Sequence, residues 1–193
     1  MKLRKTLSEN KLPKIVVPKF AFALMALAFL CASALAQEMT SEDWFNRGQE
    51  LQRNDYHEEA LQAFDKAIEI NQSYAFAWGG KGSALYNMGR YEEAIAAWDR
   101  AIELEPDEFY SGSKWEMKGK VLEILGRNEE SAHAYERALE LADKAVTKYK
   151  TSTDLNLSAA WGFKGQLLED QGRYDEALEA MEYSAKANPE DAF

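Results

Sequence analysis

Residues 75–108 read AFAWGGKGSALYNMGRYEEAIAAWDRAIELEPDE. Apolar side chains recur three and four residues apart on both sides of Gly89, which is the spacing of one face of an α-helix. A glycine at this point ends a helix readily, because it adopts the left-handed backbone conformation at little cost. The stretch therefore predicts two amphipathic helices joined by a tight turn.

This pattern recurs four times in the sequence. A tryptophan is followed four residues later by a glycine in Trp44 and Gly48, Trp78 and Gly82, Trp115 and Gly119, and Trp161 and Gly165. Downstream of each pair, a small residue precedes a large one by four positions, as Ala94 precedes Trp98. A fixed period of this kind indicates a repeat architecture, in which neighbouring units stack to bury a continuous core. The units span approximately residues 41–74, 75–108, 112–145 and 158–191.

On these residues the chain resembles the tetratricopeptide repeat (TPR) family, whose pattern places Trp, Gly, Ala and a large residue at these offsets. The resemblance implies an all-α, right-handed solenoid of four helix-turn-helix units, with the first helices lining a concave groove. It also implies a protein that binds other polypeptides in that groove. Basic residues replace the family's first leucine, and only Pro106 and Pro189 match its terminal proline.

The repeat is irregular at two joins, because the tryptophan spacings are 34, 37 and 46 residues. Three extra residues fall at 109–111 and twelve more between the third and fourth units. Uninterrupted helical spacing up to Lys150 predicts that the second helix of the third unit is longer by one or two turns. A polar loop over about 151–156 follows. Two interpretations stay open: a neutral insertion, and an insertion that shapes a partner site.

The amino terminus has the features of a secretory signal. Basic residues precede an uncharged run over 20–36, which ends in the small residues of Ala34-Leu35-Ala36. We therefore predict a signal peptide over residues 1–36, cleaved before Gln37, and a repeat domain over 37–193. The alternative is an uncleaved membrane anchor at 20–36, which is at the short limit for spanning a bilayer. Export to the periplasm, cell envelope or extracellular space follows from the first interpretation.

Charge and composition argue against several classes of function. The net charge is −10, and without residues 1–36 it is about −15, which disfavours nucleic acid as a partner. The one cysteine, Cys31, lies in the predicted signal, and the two histidines, His57 and His133, have no second ligand nearby. We therefore expect no metal, no cofactor and no enzymatic activity.

The predicted peptide-binding groove combines aromatic and amide side chains of the first helices. The candidate residues are Phe45, Gln49, Phe76, Ser83, Tyr86, Asn87, Lys120, Phe163 and Gln166. Gly79 and Gly162 are expected to leave space beside the rings. Because Lys120 is the one basic side chain in this set, the family's clamp for a terminal carboxylate is disfavoured, and a neutral or apolar peptide is favoured.

The sequence thus predicts an exported adaptor or scaffold that binds a peptide segment of a partner protein. The alternative is a structural component of an envelope complex that self-associates through its carboxyl-terminal repeat, where Leu178 and Tyr183 lack a predicted covering helix. Asn71 and Asn156 fit the N-glycosylation pattern in predicted turns.

Overall fold

The computed structural model describes residues 39–106, 108–150 and 155–187, and this part of the chain consists of helices joined by short turns. The predicted signal or anchor over residues 1–36 lies outside the described residues. The eight described helices are α1 (Ser41–Arg53), α2 (His57–Ile70), α3 (Ala75–Asn87), α4 (Tyr91–Leu104), α5 (Glu108–Ile124), α6 (Asn128–Tyr149), α7 (Leu155–Asp170) and α8 (Tyr174–Ala187). The prediction of an all-α solenoid built from helix pairs is confirmed.

A residue in the left-handed backbone conformation ends each first helix, as the glycine pattern predicted. Gly89, Gly126 and Gly172 have φ angles of 73°, 72° and 72°. Asp55 takes the same place in the first unit with a φ of 62°. Aspartate is one of the few non-glycine residues that adopt this conformation, because its side chain bonds locally.

Within each unit, the glycine of the first helix faces the large residue of the second helix. A Cβ atom built on Gly48 would lie 2.6 Å from Phe64, and one on Gly82 would lie 2.3 Å from Trp98. The atoms nearest to these two glycines belong to the large residues and not to the small residues, such as Ala94, that precede them by four positions. The rings of Phe64 and Trp98 are fully buried, so the missing glycine side chains create the space that these rings fill.

An ion pair and a cation–π contact recur where one unit meets the next. In each case the lysine three residues after the tryptophan lies over that indole ring and pairs with an aspartate of the preceding unit. The three pairs are Lys81 with Asp65, Lys118 with Asp99, and Lys164 with Asp143. The three lysines that replace the family's leucine therefore join neighbouring units, whereas Arg47 pairs with Glu50 within α1.

The long α6 changes how the fourth unit packs. Its 22 residues confirm the prediction of extra turns. By the spacing of the repeat, Glu136 is the counterpart of Asp65 and Asp99, yet Lys164 pairs with Asp143. Asp143 lies about two helical turns further along. Accordingly, α7 packs closer to the carboxyl end of α6 than the earlier joins would place it. The loop predicted over 151–156 ends earlier than expected, since α7 already begins at Leu155, and residues 151–154 lie outside the described residues.

Candidate functional site

The first helices of the amino-terminal half carry a row of aromatic rings. Phe45 of α1 lies 5.3 Å from Tyr74 and 6.3 Å from Phe76, between ring centroids. The ring of Phe76 in turn lies 4.9 Å from that of Tyr110. We call these four side chains the aromatic shelf. Phe76 remains 47% exposed, so the shelf presents an apolar ring to solvent with its neighbours holding it in place.

Tyr110 reaches back across the join from the first turn of α5. Its hydroxyl donates a hydrogen bond to the carbonyl of Ala75 at 2.6 Å, and burial raises the pKa of that hydroxyl. A Cβ atom on Gly79 would lie 2.3 Å from this oxygen and 2.9 Å from Cε of Lys114. The space expected beside Gly79 is therefore filled by these two side chains. At Gly162 the nearest atom is Oγ of Ser184 at 3.5 Å, so that position is roomier.

A polar cluster occupies the carboxyl-terminal half of the same surface. Nζ of Lys120 lies 2.7 Å from a carboxylate oxygen of Glu116 and 3.0 Å from one of Asp170. The amide of Gln166 donates to Glu116 at 3.2 Å. Burial alone would lower the pKa of Lys120, but its hydrogen bonds to Glu116 and Asp170 raise it above the usual value. Lys120 is therefore a paired cation, and Glu116 is buried with both partners in place.

The structure thus brings the predicted site residues together in two groups. Phe45 and Phe76 meet in the aromatic shelf, and Lys120 and Gln166 meet in the polar cluster. Both groups lie on one surface, which is formed by the first helices of the four units, α1, α3, α5 and α7, and extends from Phe45 to Asp170. We call it the first-helix surface.

The other predicted residues are distributed differently. Tyr86 packs against the core, with its ring 6.2 Å from Trp98, and Phe163 packs against the cluster around Tyr135. These two rings mainly pack between helices, because a large side chain on this face of a first helix also contacts the neighbouring helix. Ser83 donates to the carbonyl of Gly79 at 3.1 Å. Gln49 and Asn87 are exposed.

Three residues of this surface were absent from the predicted set: Tyr74, Tyr110 and Lys114. Tyr110 lies in the segment 109–111, which the sequence marked only as extra length. The structure incorporates the segment into α5 as an additional amino-terminal turn. Ser113 lies two residues before Trp115, as Phe76 lies two residues before Trp78, so it holds the position of Phe76 in the third unit. Extending the helical period backwards from Ser113 by three residues would have placed Tyr110 on the predicted binding face.

The two histidines lie on different helices. His57 is partly buried at the start of α2, and His133 is exposed on α6. Across the described ranges, no group of three or more His, Cys, Asp or Glu side chains could hold a metal ion. No helix in those ranges is both long enough and apolar enough to cross a membrane.

Helix pairs in which a glycine of the first helix accommodates a large side chain of the second, together with the recurring ion pairs between units, define a helical-repeat protein. Family models described as tetratricopeptide repeat match residues 41–74, 75–108 and 116–192, and together they span most of the chain. The chain therefore belongs to the tetratricopeptide repeat family, whose repeats mediate protein interactions. No curated protein is a significant match to the sequence.

Solved structures share the fold. The crystal structure of MamA is 19% identical with a TM-score of 0.51, covering 90% of this chain and 92% of MamA. A chain of the CopN–Scc3 complex is 14% identical with a TM-score of 0.55, covering 68% of each chain. The second TPR of Spaghetti (RPAP3), bound to the HSP90 peptide SRMEEVD, is 20% identical with a TM-score of 0.50. The match covers 56% of this chain and 98% of the RPAP3 chain. At these identities the likeness concerns the fold.

Proposed function

We propose that the protein is an adaptor or scaffold that binds a peptide segment of a partner protein on the first-helix surface. The observation that carries this proposal is the exposed ring of Phe76, held between Phe45 and Tyr110. Such a ring contributes to binding by leaving water when an apolar side chain covers it. Its rigid packing means that little conformational freedom is lost on binding.

The family and its structural neighbours support a polypeptide as the ligand. One neighbour was solved with an HSP90 peptide and another is part of a complex. The polar cluster supports an orienting role for the carboxyl-terminal half. The carboxylate of Asp170 and the amide of Gln166 offer an acceptor and a donor to a peptide backbone.

Selection of random displayed peptides on the full-length protein tests the proposal. We expect Phe76→Ala to weaken the selected peptides at least about tenfold, because an aromatic anchor contributes 1–2 kcal/mol or more in typical interfaces. The measurement is the dissociation constant by fluorescence anisotropy. Ile70→Ala is the matched control: Ile70 is 54% exposed but lies at the end of a second helix.

Two outcomes would contradict the proposal. One is that no peptide depends on Phe76. The other is that Ile70→Ala weakens binding as much as Phe76→Ala, which would place the binding surface elsewhere.

We further propose that the protein is exported, on the support of the basic segment, apolar run and small residues before Gln37. Sequencing the amino terminus of the purified native protein tests this step. Gln37 as the first residue is expected, whereas an intact Met1 would indicate an anchored protein.

A second candidate function is a self-associating structural component. Leu178 of α8 is 61% exposed at the repeat position where Leu61 and Ile95 pack against the core. At the other end of the described repeats, the surface of α1 carries the polar residues Asn46, Arg47 and Glu50, with Met39 beside them. Head-to-tail stacking would bury these polar groups against an apolar face, so this candidate predicts pairing of two α8 faces.

A further inference from the structure

We propose that Lys114, together with Tyr110, forms a subsite on the first-helix surface for one side-chain carboxylate of the bound peptide. The subsite lies next to the aromatic shelf, where the peptide's apolar residue would sit. This inference rests on the proposed function, because it describes the ligand of the same surface. It refines the expectation of a neutral or apolar peptide by adding a single Asp or Glu at a fixed distance from the apolar residue.

The ammonium group of Lys114 is held in one place by its surroundings. Nζ lies 4.8 Å from the centroid of the Tyr110 ring and 3.3 Å from Oγ of Ser113. The side chain crosses Gly79, where a Cβ atom would lie 2.9 Å from Cε. A lysine positioned by a ring, a hydroxyl and a glycine-lined gap has lost much of the rotamer freedom that binding would otherwise remove.

Lys114 differs from the other lysines of the first helices in its electrostatic environment. Among the described residues, each of the other four pairs with a carboxylate: Lys81 with Asp65, Lys118 with Asp99, Lys120 with Glu116 and Asp170, and Lys164 with Asp143. Lys114 forms no ion pair within the described part of the chain. Burial lowers its pKa, and the charge of Glu116 opposes that effect.

A partly buried ammonium group without a carboxylate partner is costly, because it has lost water without gaining a counter-charge. A ligand carboxylate would supply that charge and form a charge-assisted hydrogen bond. Glu116 forms no ion pair with Lys114, and its Oε1 atom accepts hydrogen bonds from Lys120 and Gln166 instead. The charge complementarity of the site therefore favours an anionic group of the ligand.

The distances fix where that group lies in the peptide. The Phe76 ring centroid is 4.9 Å from that of Tyr110, and Nζ of Lys114 is 4.8 Å from the same centroid, so Nζ is at most about 10 Å from Phe76. An extended chain advances about 3.3 Å per residue. The acidic residue should therefore lie within about three positions of the apolar residue.

One acidic side chain fits better than an acidic run or a terminal carboxylate. Beyond Lys114 the surface carries Glu116 and Asp170, and the predicted mature chain has a charge of about −15, so further acids would be repelled. A terminal carboxylate bound at this point would leave the polar cluster unused. A terminal carboxylate would also find a single ammonium group as its partner at this point, instead of several hydrogen-bond donors.

A double-mutant cycle tests the subsite. Peptides are selected on the full-length protein, and each Phe76-dependent peptide is synthesised with an amidated carboxyl terminus and with its acidic residue changed to Asn or Gln. We expect that change to weaken binding about tenfold for the wild-type protein, typical of a charge pair that excludes water. The same change in the peptide should not weaken binding to the Lys114→Met variant, whose side chain keeps about the same length but has no charge.

Controls separate charge from folding. Lys114→Arg should retain the preference for the acid, and Lys66→Met, at an exposed lysine of α2, should leave it unchanged. Circular dichroism of Lys114→Met establishes that the variant is folded. Two results would overturn the subsite. One is that the Asp→Asn change in the peptide weakens binding equally for the wild-type protein and for Lys114→Met. The other is that the selected peptides are not enriched in acidic residues.

The same experiment distinguishes the related possibilities. If peptides with a free carboxyl terminus bind better than amidated ones and Asp→Asn has no effect, the ligand group is the chain end and the inference is wrong. If selected peptides depend on Phe76 without any dependence on an acid, the subsite fails while the proposed function stands. If no peptide depends on Phe76, the proposed function itself fails.

Discussion

At the scale of single residues, the fold depends on glycines that lie against large side chains. The Gly82 position is the tightest of the four equivalents, with Trp98 Nε1 at 2.3 Å from a built Cβ atom. The indole ring is fully buried, so it has no room to move away. Gly162 lies in a first helix as well, but its built Cβ would meet only Ser184 Oγ at 3.5 Å.

This contrast gives a prediction on stability. We expect Gly82→Ala to lower the free energy of unfolding by about 1–3 kcal/mol, because the added methyl group overpacks the core. Gly162→Ala should raise it by about 0.5–1 kcal/mol, since alanine favours a helix and the space is available. Urea denaturation of the full-length variants measures both changes. Equal effects at the two positions would contradict the role of the ring contact.

At the scale of helices, the extended α6 determines where the fourth unit is attached. Ala145 is fully buried in the added turns, whereas Ala132, at the repeat position of Leu61 and Ile95, is exposed. Both observations follow from the displacement of α7 along α6. They indicate that the insertion changes how the fourth unit packs; that it shapes a partner site stays a prediction.

The same substitution at these two alanines tests this displacement. We expect Ala145→Asp to lower the free energy of unfolding by about 3 kcal/mol or more, because it buries a carboxylate without a partner. Ala132→Asp on the same helix should change it by less than about 0.5 kcal/mol. Thermal and urea denaturation measure both variants. A small effect at Ala145 would mean that the added turns do not carry the packing of α7.

At the scale of the whole molecule, the two candidate functions differ in what covers the apolar face of α8. The second candidate predicts a reversible dimer at high micromolar concentration, because covering Leu178 and its neighbours removes apolar surface from water. Leu178→Glu should then remain a single protomer, since pairing would bring two carboxylates together. Ile124→Glu, at a residue of similar exposure on α5, is the control and should still dimerise.

Sedimentation equilibrium measures the mass in each case. A protomer mass for the wild-type protein at every concentration would eliminate self-association through α8. It would leave the peptide-binding proposal intact, because Phe76 and Leu178 are on different helices and belong to different surfaces.

The helix pairs, the turn glycines and the lengthened α6 are what the amino-acid sequence alone predicts, because helical periodicity and glycine are local signals. It also brought Phe45 and Phe76 onto one face. The tertiary structure establishes which side chains meet across units. It paired Lys120 with Glu116 and Asp170, turned Tyr86 and Phe163 into packing residues, and brought Tyr110 and Lys114 over Gly79. Those contacts depend on how far one helix is displaced along another, which local periodicity does not encode.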